Sequence, residues 1–435
     1  MNQPTAQNMA QPDLQSFYKT YQHWIVCLSA SLFFMYEFAQ LMMFNSLGSA
    51  ITSEFGLSAS QLGNLSSQSL YGNVLLLPFA GIILDRFSTR QVILINMSLC
   101  VLFTYIFSVS ENYTLACISR FMSGATGAFC LLSANLLASR WFPSRQLGMI
   151  TGLIVMSAFI GAYFAQTPLN YIVENYGWRA GVVITFYIGL VLTLWMSLTI
   201  QDTPEENNQT SSSNNSLDDQ PLPILESVKQ ALLSKHTWLC GVYTSLTNIF
   251  IVVLGSTWGS PYLQKVHSLT PIDATSVTGL IFIGGIVGFP IFGILSDKLN
   301  SRKIPMIVGA LASLTLAIVL ALSSDLSITT LKILFFCMGF TTSSQGLSYP
   351  SIMESTSPKL IATCSSIASV MIQGGGAVFV SNYGKLVDIH TSVTEVTSLT
   401  AYNEADYAFA YWMIPVAYAI TVAIALKLKE TYQRT

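Results

Sequence analysis

Charge is what this 435-residue chain has least of. Only 9% of its residues are Asp, Glu, Lys or Arg, whereas soluble domains carry roughly a quarter. A chain of this size with so few charges does not cover a water-exposed surface of its own. Metal chemistry is also unsupported. The four histidines (His23, His236, His267, His390) and seven cysteines (Cys27, Cys100, Cys117, Cys130, Cys240, Cys337, Cys364) show no ligand spacing, and the cysteines read as apolar packing residues. No Gly-x-x-x-x-Gly-Lys-Ser/Thr loop occurs, so ATP-driven pumping has no support. No nucleophile–base pair stands out either, so neither an enzyme nor a cofactor is expected. The basic residues are spread over short loops, which argues against a nucleic-acid partner. No cleavable signal peptide is visible: the first 21 residues are polar, and the apolar run that follows is long enough to span.

What the chain does have is apolar residues, 52% of the total, arranged in blocks. Crossing the hydrocarbon core takes about 20 of them per helix. Twelve candidate spans are centred near Phe34, Leu75, Ser98, Phe129, Ala158, Gly189, Phe250, Gly284, Leu314, Cys337, Met371 and Ala417. With the N-terminus in the cytoplasm, the Lys and Arg residues fall mostly on the cytoplasmic side. Of 19, only Arg179, Lys265, Lys332 and Lys385 face outward, and Arg120 falls within the membrane. That bias sets the orientation, and an even number of spans puts both termini in the cytoplasm. After the sixth span comes a polar stretch without periodicity, from Gln201 to Gln220, which reads as a flexible linker. The segment Ile224 to Leu233 follows with helical apolar spacing and is expected along the membrane surface. The long outside loop from about Lys385 to Asp406 is acidic and Thr-rich and is assigned no role.

One pattern organises the rest. Gly81-Ile-Ile-Leu-Asp85-Arg86-Phe-Ser88-Thr-Arg90 reappears 212 residues later as Gly293-Ile-Leu-Ser-Asp297-Lys298-Leu-Asn300-Ser-Arg302, and Gly72 matches Gly284 in the same register. A charged hairpin repeated between membrane-length segments implies a duplicated helical half. The hairpin resembles the Gly-x-x-x-Asp-Arg-x-Gly-Arg-Arg/Lys loop of the major facilitator superfamily. Ser88 and Thr89 depart from that pattern in the first copy, as Lys298 and Asn300 do in the second. Arg120-Phe-Met-Ser-Gly124 in the fourth span is similar to that family's Arg-x-x-x-Gly signature. Arg140-Trp141-Phe142-Pro143, Gly177-Trp178-Arg179 and Asp202-Thr-Pro204 resemble importers of organic anions and small metabolites within it. The Gly-Pro-rich fifth-span signature of drug–proton antiporters is missing.

The resemblance implies an all-α fold of 12 transmembrane helices in two six-helix bundles, each built of 3+3 inverted repeats. The expected layout is a cytoplasmic tail (1–22), an N-terminal bundle (23–200), a cytoplasmic linker (201–236), a C-terminal bundle (237–428) and a second tail (429–435). It further implies a secondary transporter that works as a monomer by alternating access, in a bacterial inner membrane. The conformational latch is expected at Gly81, Asp85, Arg86, Arg90, Gly293, Asp297, Lys298 and Arg302, where an aspartate can cap a helix N-terminus and the arginines can hold carboxylates or carbonyls.

Two charges within spans stand out, because an ionisable side chain in lipid is costly unless it faces a cavity or a partner. Arg120 is one: the resemblance implies proton coupling or a grip on a substrate carboxylate at this position, and the alternative is snorkelling to the outer interface. Glu37 in the first span is the other: a proton carrier, a salt-bridge partner for Arg120, a ligand for a substrate amine, or half of a structural pair. Gln40 shares the face of Glu37, and Asn135 that of Arg120. Gln166, Asn248 and Gln373 complete the expected substrate and coupling site, with Gln68, Tyr71, Gln345, Tyr349 and Trp412 as weaker candidates more often engaged in helix packing. The expected function is proton-coupled uptake of a small polar or charged metabolite: an amino acid, a peptide or an organic acid. Export of a drug or siderophore and a non-transporting solute sensor are the alternatives.

Overall fold

A computed structural model describes residues 14–142, 147–203, 224–323, 325–357, 360–391 and 399–432. Among them nine stretches are long and apolar enough to cross a membrane, from Tyr21–Met42 to Glu404–Lys427. One of these, Met149–Thr199, reverses at Gly177, whose φ of 84° only glycine adopts without strain, so it supplies two spans. Two more crossings complete the set: the second span, a single helix from Ala59 to Arg86, and the tenth, which is interrupted. Twelve spans result, centred where the sequence places them.

In chain order the first half comprises α1 (Leu14–Met42), α2 (Phe44–Phe55), α3 (Ala59–Arg86), α4 (Thr89–Ser108), α5 (Tyr113–Gly127), α6 (Cys130–Trp141), α7 (Leu147–Phe164) and α8 (Thr167–Thr199). Then come α9 (Ile224–Leu233), α10 (Lys235–Thr247), a π-helix (Ile251–Trp258), α11 (Gly259–Val266), α12 (Pro271–Lys298), α13 (Lys303–Leu322), α14 (Ile328–Thr342), a 3₁₀ turn (Ser343–Leu347), α15 (Ser348–Ser355), α16 (Ile361–His390), a 3₁₀ turn (Leu399–Ala401), α17 (Glu404–Tyr411) and α18 (Met413–Lys427).

The first, fourth, seventh and tenth spans are each broken, between α1 and α2, α5 and α6, α10 and α11, and α14 and α15. These are the opening spans of four three-helix groups. Breaks leave backbone groups without helical partners, and in lipid such groups must be satisfied by protein. The breaks therefore dictate where polar side chains gather.

The duplication extends to packing. Gly72 on α3 lies against the carbonyl of Phe121 on α5, and Gly284 on α12 lies against the carbonyl of Phe336 on α14. The partner helices reciprocate, with Gly124 against the Ser69 carbonyl and Gly339 against that of Ile281. A proline sits at matched interior positions, Pro78 and Pro290. Small residues let the second and fourth helices of each half approach backbone to backbone, the packing that replaces hydrophobic driving force within lipid.

The helix ends carrying Arg86, Arg90, Arg140, Arg302 and Lys303 form a basic end; the opposite end is the far end. At the far end the halves meet along two seams. On one, α3 packs against α16, with Gly384 against Ala59, Gly63 against Val380, Ser67 donating to the Ala377 carbonyl (3.0 Å) and Gly376 beside Leu70. On the other, α7 meets α12 through Tyr163 beside Gly279 and Phe159 stacked edge-on to Phe282 and Phe289. Helix α9 docks on the second half through the fully buried Ala231, which shares a cluster with Cys240, Cys364 and Ala368, while Leu232 and Leu233 remain exposed. It is thus tied to protein rather than resting on the membrane surface alone.

A methyl group at any of the four paired glycines collides with the facing backbone. Gly72→Ala and Gly284→Ala should each cost about 1–3 kcal/mol and lower the melting temperature of purified protein. Gly81→Ala and Gly293→Ala face open space and should leave it unchanged.

Candidate functional site

Span 1 breaks at Met43, so the last carbonyls of α1 lack helical donors. Two side chains supply them. Arg120 Nη2 donates to the Gln40 carbonyl (2.8 Å), and Gln166 Nε2 donates to the Met42 carbonyl (3.1 Å). The partial negative charge of a helix C-terminus favours the guanidinium there. Arg120 is otherwise held by rings, 5.2 Å from the Phe44 centroid and 5.6 Å from that of Phe107, a contact worth more when desolvated. It is 1% exposed, so it does not snorkel to the interface.

Glu37 stands one turn back on α1. Its Oε2 accepts from the Cys100 thiol (3.8 Å), and its carboxyl group fills the space that a side chain on Gly127 would need. Gly127 ends α5, where span 4 breaks. The acid and the base thus sit at the breaks of spans 1 and 4, both fully buried. They form no ion pair: the ion pairs among the described residues are Arg140–Asp202, Arg179–Glu54, His390–Asp406 and Arg302 with Asp297 and Glu354. Glu37 Oε1, Gln40 Oε1 and Arg120 Nε are all buried without a hydrogen-bond partner. Two acceptors and one donor thus lie unsatisfied along α1 and α5, a costly arrangement and the composition of a site that receives something polar.

The other expected residues separate into groups. Asn135 on α6 accepts from Thr151 (3.1 Å) and is half-buried. Asn248, at the end of α10, accepts from Gln345 (3.3 Å), and Gln373 on α16 is half-buried. Tyr349 and Ser369 share a hydrogen bond (3.1 Å) between spans 10 and 11, while Gln68 donates to Asn64 within α3. Together the amides of the second half present a neutral surface with no buried charge among them. Trp412 departs from the expectation. It shares a helix face with the exposed Phe409, Val416 and Ile420, an apolar stripe suited to lipid rather than to a polar cavity.

Gln166 is fully occupied. It accepts from Asn45 (3.3 Å) and Thr278 (2.8 Å) and donates to the Met42 and Gly255 carbonyls. Asn45 Nδ2 reaches the Leu254 and Gly255 carbonyls (2.7 Å each), and its Oδ1 accepts from the Ser260 amide. Those carbonyls belong to the π-helix of span 7, whose widened turn leaves them available. The pair ties spans 1 and 5 to spans 7 and 8. Asn45 escapes a reading of the sequence because its partner carbonyls exist only where span 7 loses α-helical geometry.

At the basic end, the expected latch residues are engaged within their own halves. Arg90 donates its amide to Asp202 (2.8 Å) and its guanidinium to the Ser197 carbonyl (2.8 Å), and Ser88 also bonds Asp202. Arg302 joins Asp297 and Glu354 (2.7 Å each), while Ser301 and the amides of Arg302 and Lys303 bond Glu430. In each half a carboxylate just past the sixth helix caps the start of the third. Burial works against the Glu430 carboxylate, but the Ser301 hydroxyl and three backbone amides hold it down to about 2. Arg86 and Lys298 are exposed, Gly81 and Gly293 have open space beside them, and the Asp85 side chain lies outside the described residues. The described latch residues do not join the two halves in this conformation.

The sequence profile of the Major Facilitator Superfamily matches residues 28–380. The chain belongs to that superfamily. Its relatives include the probable galactarate/D-glucarate transporter GudP of Bacillus subtilis, 22% identical over 86% of this chain and 85% of that protein. The probable nitrate/nitrite antiporter NarK1 of Thermus thermophilus is 27% identical over 63% of this chain and 61% of its own length. Among solved structures, a bacterial homologue of the human lysosomal transporter Spinster, inward-facing and unoccupied, aligns with a TM-score of 0.75 at 17% identity, covering 94% of this chain and 97% of that one. A D-xylose–proton symporter aligns with 0.73 at 14% identity, covering 94% and 98%. The protein is therefore a multi-pass membrane transporter of this superfamily and not an enzyme.

Because the Glu37 carboxyl group rests on Gly127, Gly127→Ala should displace it and cut solute uptake by roughly tenfold or more. Gly152→Ala, which faces open space, should leave uptake unchanged. Uptake by proteoliposomes, alongside melting temperature, checks both.

Proposed function

We propose that the protein is a secondary active transporter that takes up a small organic acid, or a similarly polar metabolite, together with a proton. The observation that carries this reading is the buried, unpaired Glu37 and Arg120 at the breaks of spans 1 and 4. A carboxylate substrate and the Glu37 carboxylate compete for Arg120, the one fully buried cation among the described residues. When Glu37 is protonated, Arg120 is free to attract an anion; when Glu37 is ionised, it holds that field itself. Proton and anion then bind together, the condition for symport. Gln40, Asn135, Asn248 and Gln373 would contact the polar remainder of the substrate, and Gln166 would serve the closed far end. The substrates named for relatives, galactarate or D-glucarate and hexuronate, are hydroxylated acids and support this class.

In this reading the basic end faces the cytoplasm of a bacterium, both termini lie there, and 23–200 and 237–428 are the moving bundles of a functional monomer, joined by the linker 201–236. The structure represents the state shut at the far end. Opening that end brings the basic loops together, and Asp85, Arg86, Asp297 and Arg302 then latch the alternative state. Exchange or export is the second reading, favoured by the antiporter among the relatives.

Glu37→Gln should abolish accumulation driven by an imposed proton gradient in proteoliposomes while sparing counterflow of bound solute. Wild-type accumulation in that variant would remove Glu37 from coupling.

A further inference from the structure

The first turn of any helix exposes amides that its own backbone does not use. In α3 these are divided in an unusual way. Ser58 and Gln61 satisfy two of them reciprocally: the Ser58 hydroxyl accepts the Gln61 amide, and Gln61 Oε1 accepts the Ser58 amide. The remaining two are satisfied from the other half of the molecule. Ala59 N–H donates to the Tyr402 hydroxyl (2.7 Å), and Ser60 N–H donates to Asp388 Oδ2 (2.9 Å). Tyr402 in turn donates to Asp388 Oδ1. Asp388 closes span 11, and Tyr402 lies in the loop before span 12, the acidic segment to which composition assigns no role. Around this tie the backbones touch: Gly384 packs on the Ala59 carbonyl, and Trp258 Nε1 bonds the Val380 carbonyl (3.0 Å).

We propose that Asp388 and Tyr402 are positioning residues of the transport cycle: together they cap span 2 across the bundle interface and hold the far end shut. The tie requires the halves to be in contact, since both acceptors come from the second half and both donors from the first. A carboxylate at a helix N-terminus adds favourable charge to the hydrogen bond. When the far end opens, water takes over the two amides and the Asp388 carboxylate, so no group is stranded and the tie is reversible. A further carboxylate nearby, Asp406, is committed within its own half to His390 (2.8 Å) and the Asn403 amide (2.9 Å). This inference rests on alternating access and on neither proton coupling nor substrate identity, so it survives or fails separately from them.

The test uses Ser67→Cys, a nearly isosteric change at a fully buried seam position, in the purified full chain. Labelling by a membrane-impermeant maleimide is measured above that of the same chain without Ser67→Cys, whose seven cysteines set the background. Asp388→Ala and Tyr402→Phe should each speed labelling about fivefold, the factor that loss of one capping acceptor implies. The double variant should gain less than the product of the two, because both remove the same tie. Asp406→Ala should leave the rate unchanged. Labelling at the original rate in both single variants would overturn the proposal. So would an equal rise with Asp406→Ala, which would mark general loosening rather than a gate.

Discussion

A backbone group in lipid has no water to turn to, and the rest of this structure depends on that constraint. Four of the twelve spans break, and each break strands carbonyls or amides at membrane depth. The polar side chains that matter are those that answer them. Arg120 and Gln166 take the free carbonyls of α1, and Asn45 and Gln166 take those of the π-helix in span 7; at the far end, away from the breaks, Asp388 with Tyr402 takes first-turn amides of α3. Site and gate are built from the same material. What separates them is location: Arg120, Glu37 and the Gln166 bond to Met42 lie inside the first half, whereas the bonds to the π-helix and those of Asp388 and Tyr402 to α3 cross between halves.

The duplication gives each half the same internal packing, as the proposed movement of the halves as units requires. In both, the second and fourth helices touch backbone to backbone through glycines at matched positions, and a carboxylate past the last helix caps the third. Such contacts have little tolerance, since close-packed interiors do not deform continuously. Motion is therefore concentrated where packing between halves is made of small residues and replaceable hydrogen bonds. Charge was not duplicated with the same fidelity. The first half holds a buried acid and base, and the mid-membrane polar residues of the second half are amides and hydroxyls. Under the proposed function, that asymmetry would give coupling to the first half and recognition of the uncharged parts of a solute to the second.

The fold was legible in the sequence to an unusual degree because lipid imposes length and composition together. The second and tenth spans were legible as apolar blocks like the rest, the tenth despite its interruption. Glu37 and Arg120 were legible for the opposite reason, as isolated charges in apolar runs. Their arrangement was not. The break at Met43 lies between Met42 and Phe44, with neither proline nor glycine to mark it, and it decides that Arg120 binds a carbonyl rather than Glu37. Gln166 reads as a cavity residue until the π-helix shows where its donors go. Trp412 reads as polar-tipped and central until the stripe of Phe409, Val416 and Ile420 places it on the apolar surface. The acidic loop carried no motif because its work is done by a hydroxyl and a carboxylate on the backbone of a distant helix, and backbone contacts leave no trace in the partner's side chains.

A transporter needs its two closed states nearly balanced, because a solute or proton can shift an equilibrium only by its differential affinity for the states. The far-end closure meets that requirement in its choice of groups. An ion pair buried between the halves would be stable only when shut and would strand two charges on opening. A hydroxyl and a carboxylate on helix amides, and side-chain amides on carbonyls, instead exchange protein partners for water at small net change. The costly groups, Glu37 and Arg120, lie within one half, so the proposed movement would not separate them. Their unmet hydrogen bonds persist in the shut state until something polar satisfies them, so occupancy of that site, rather than the seam, is placed to decide which way the balance tips.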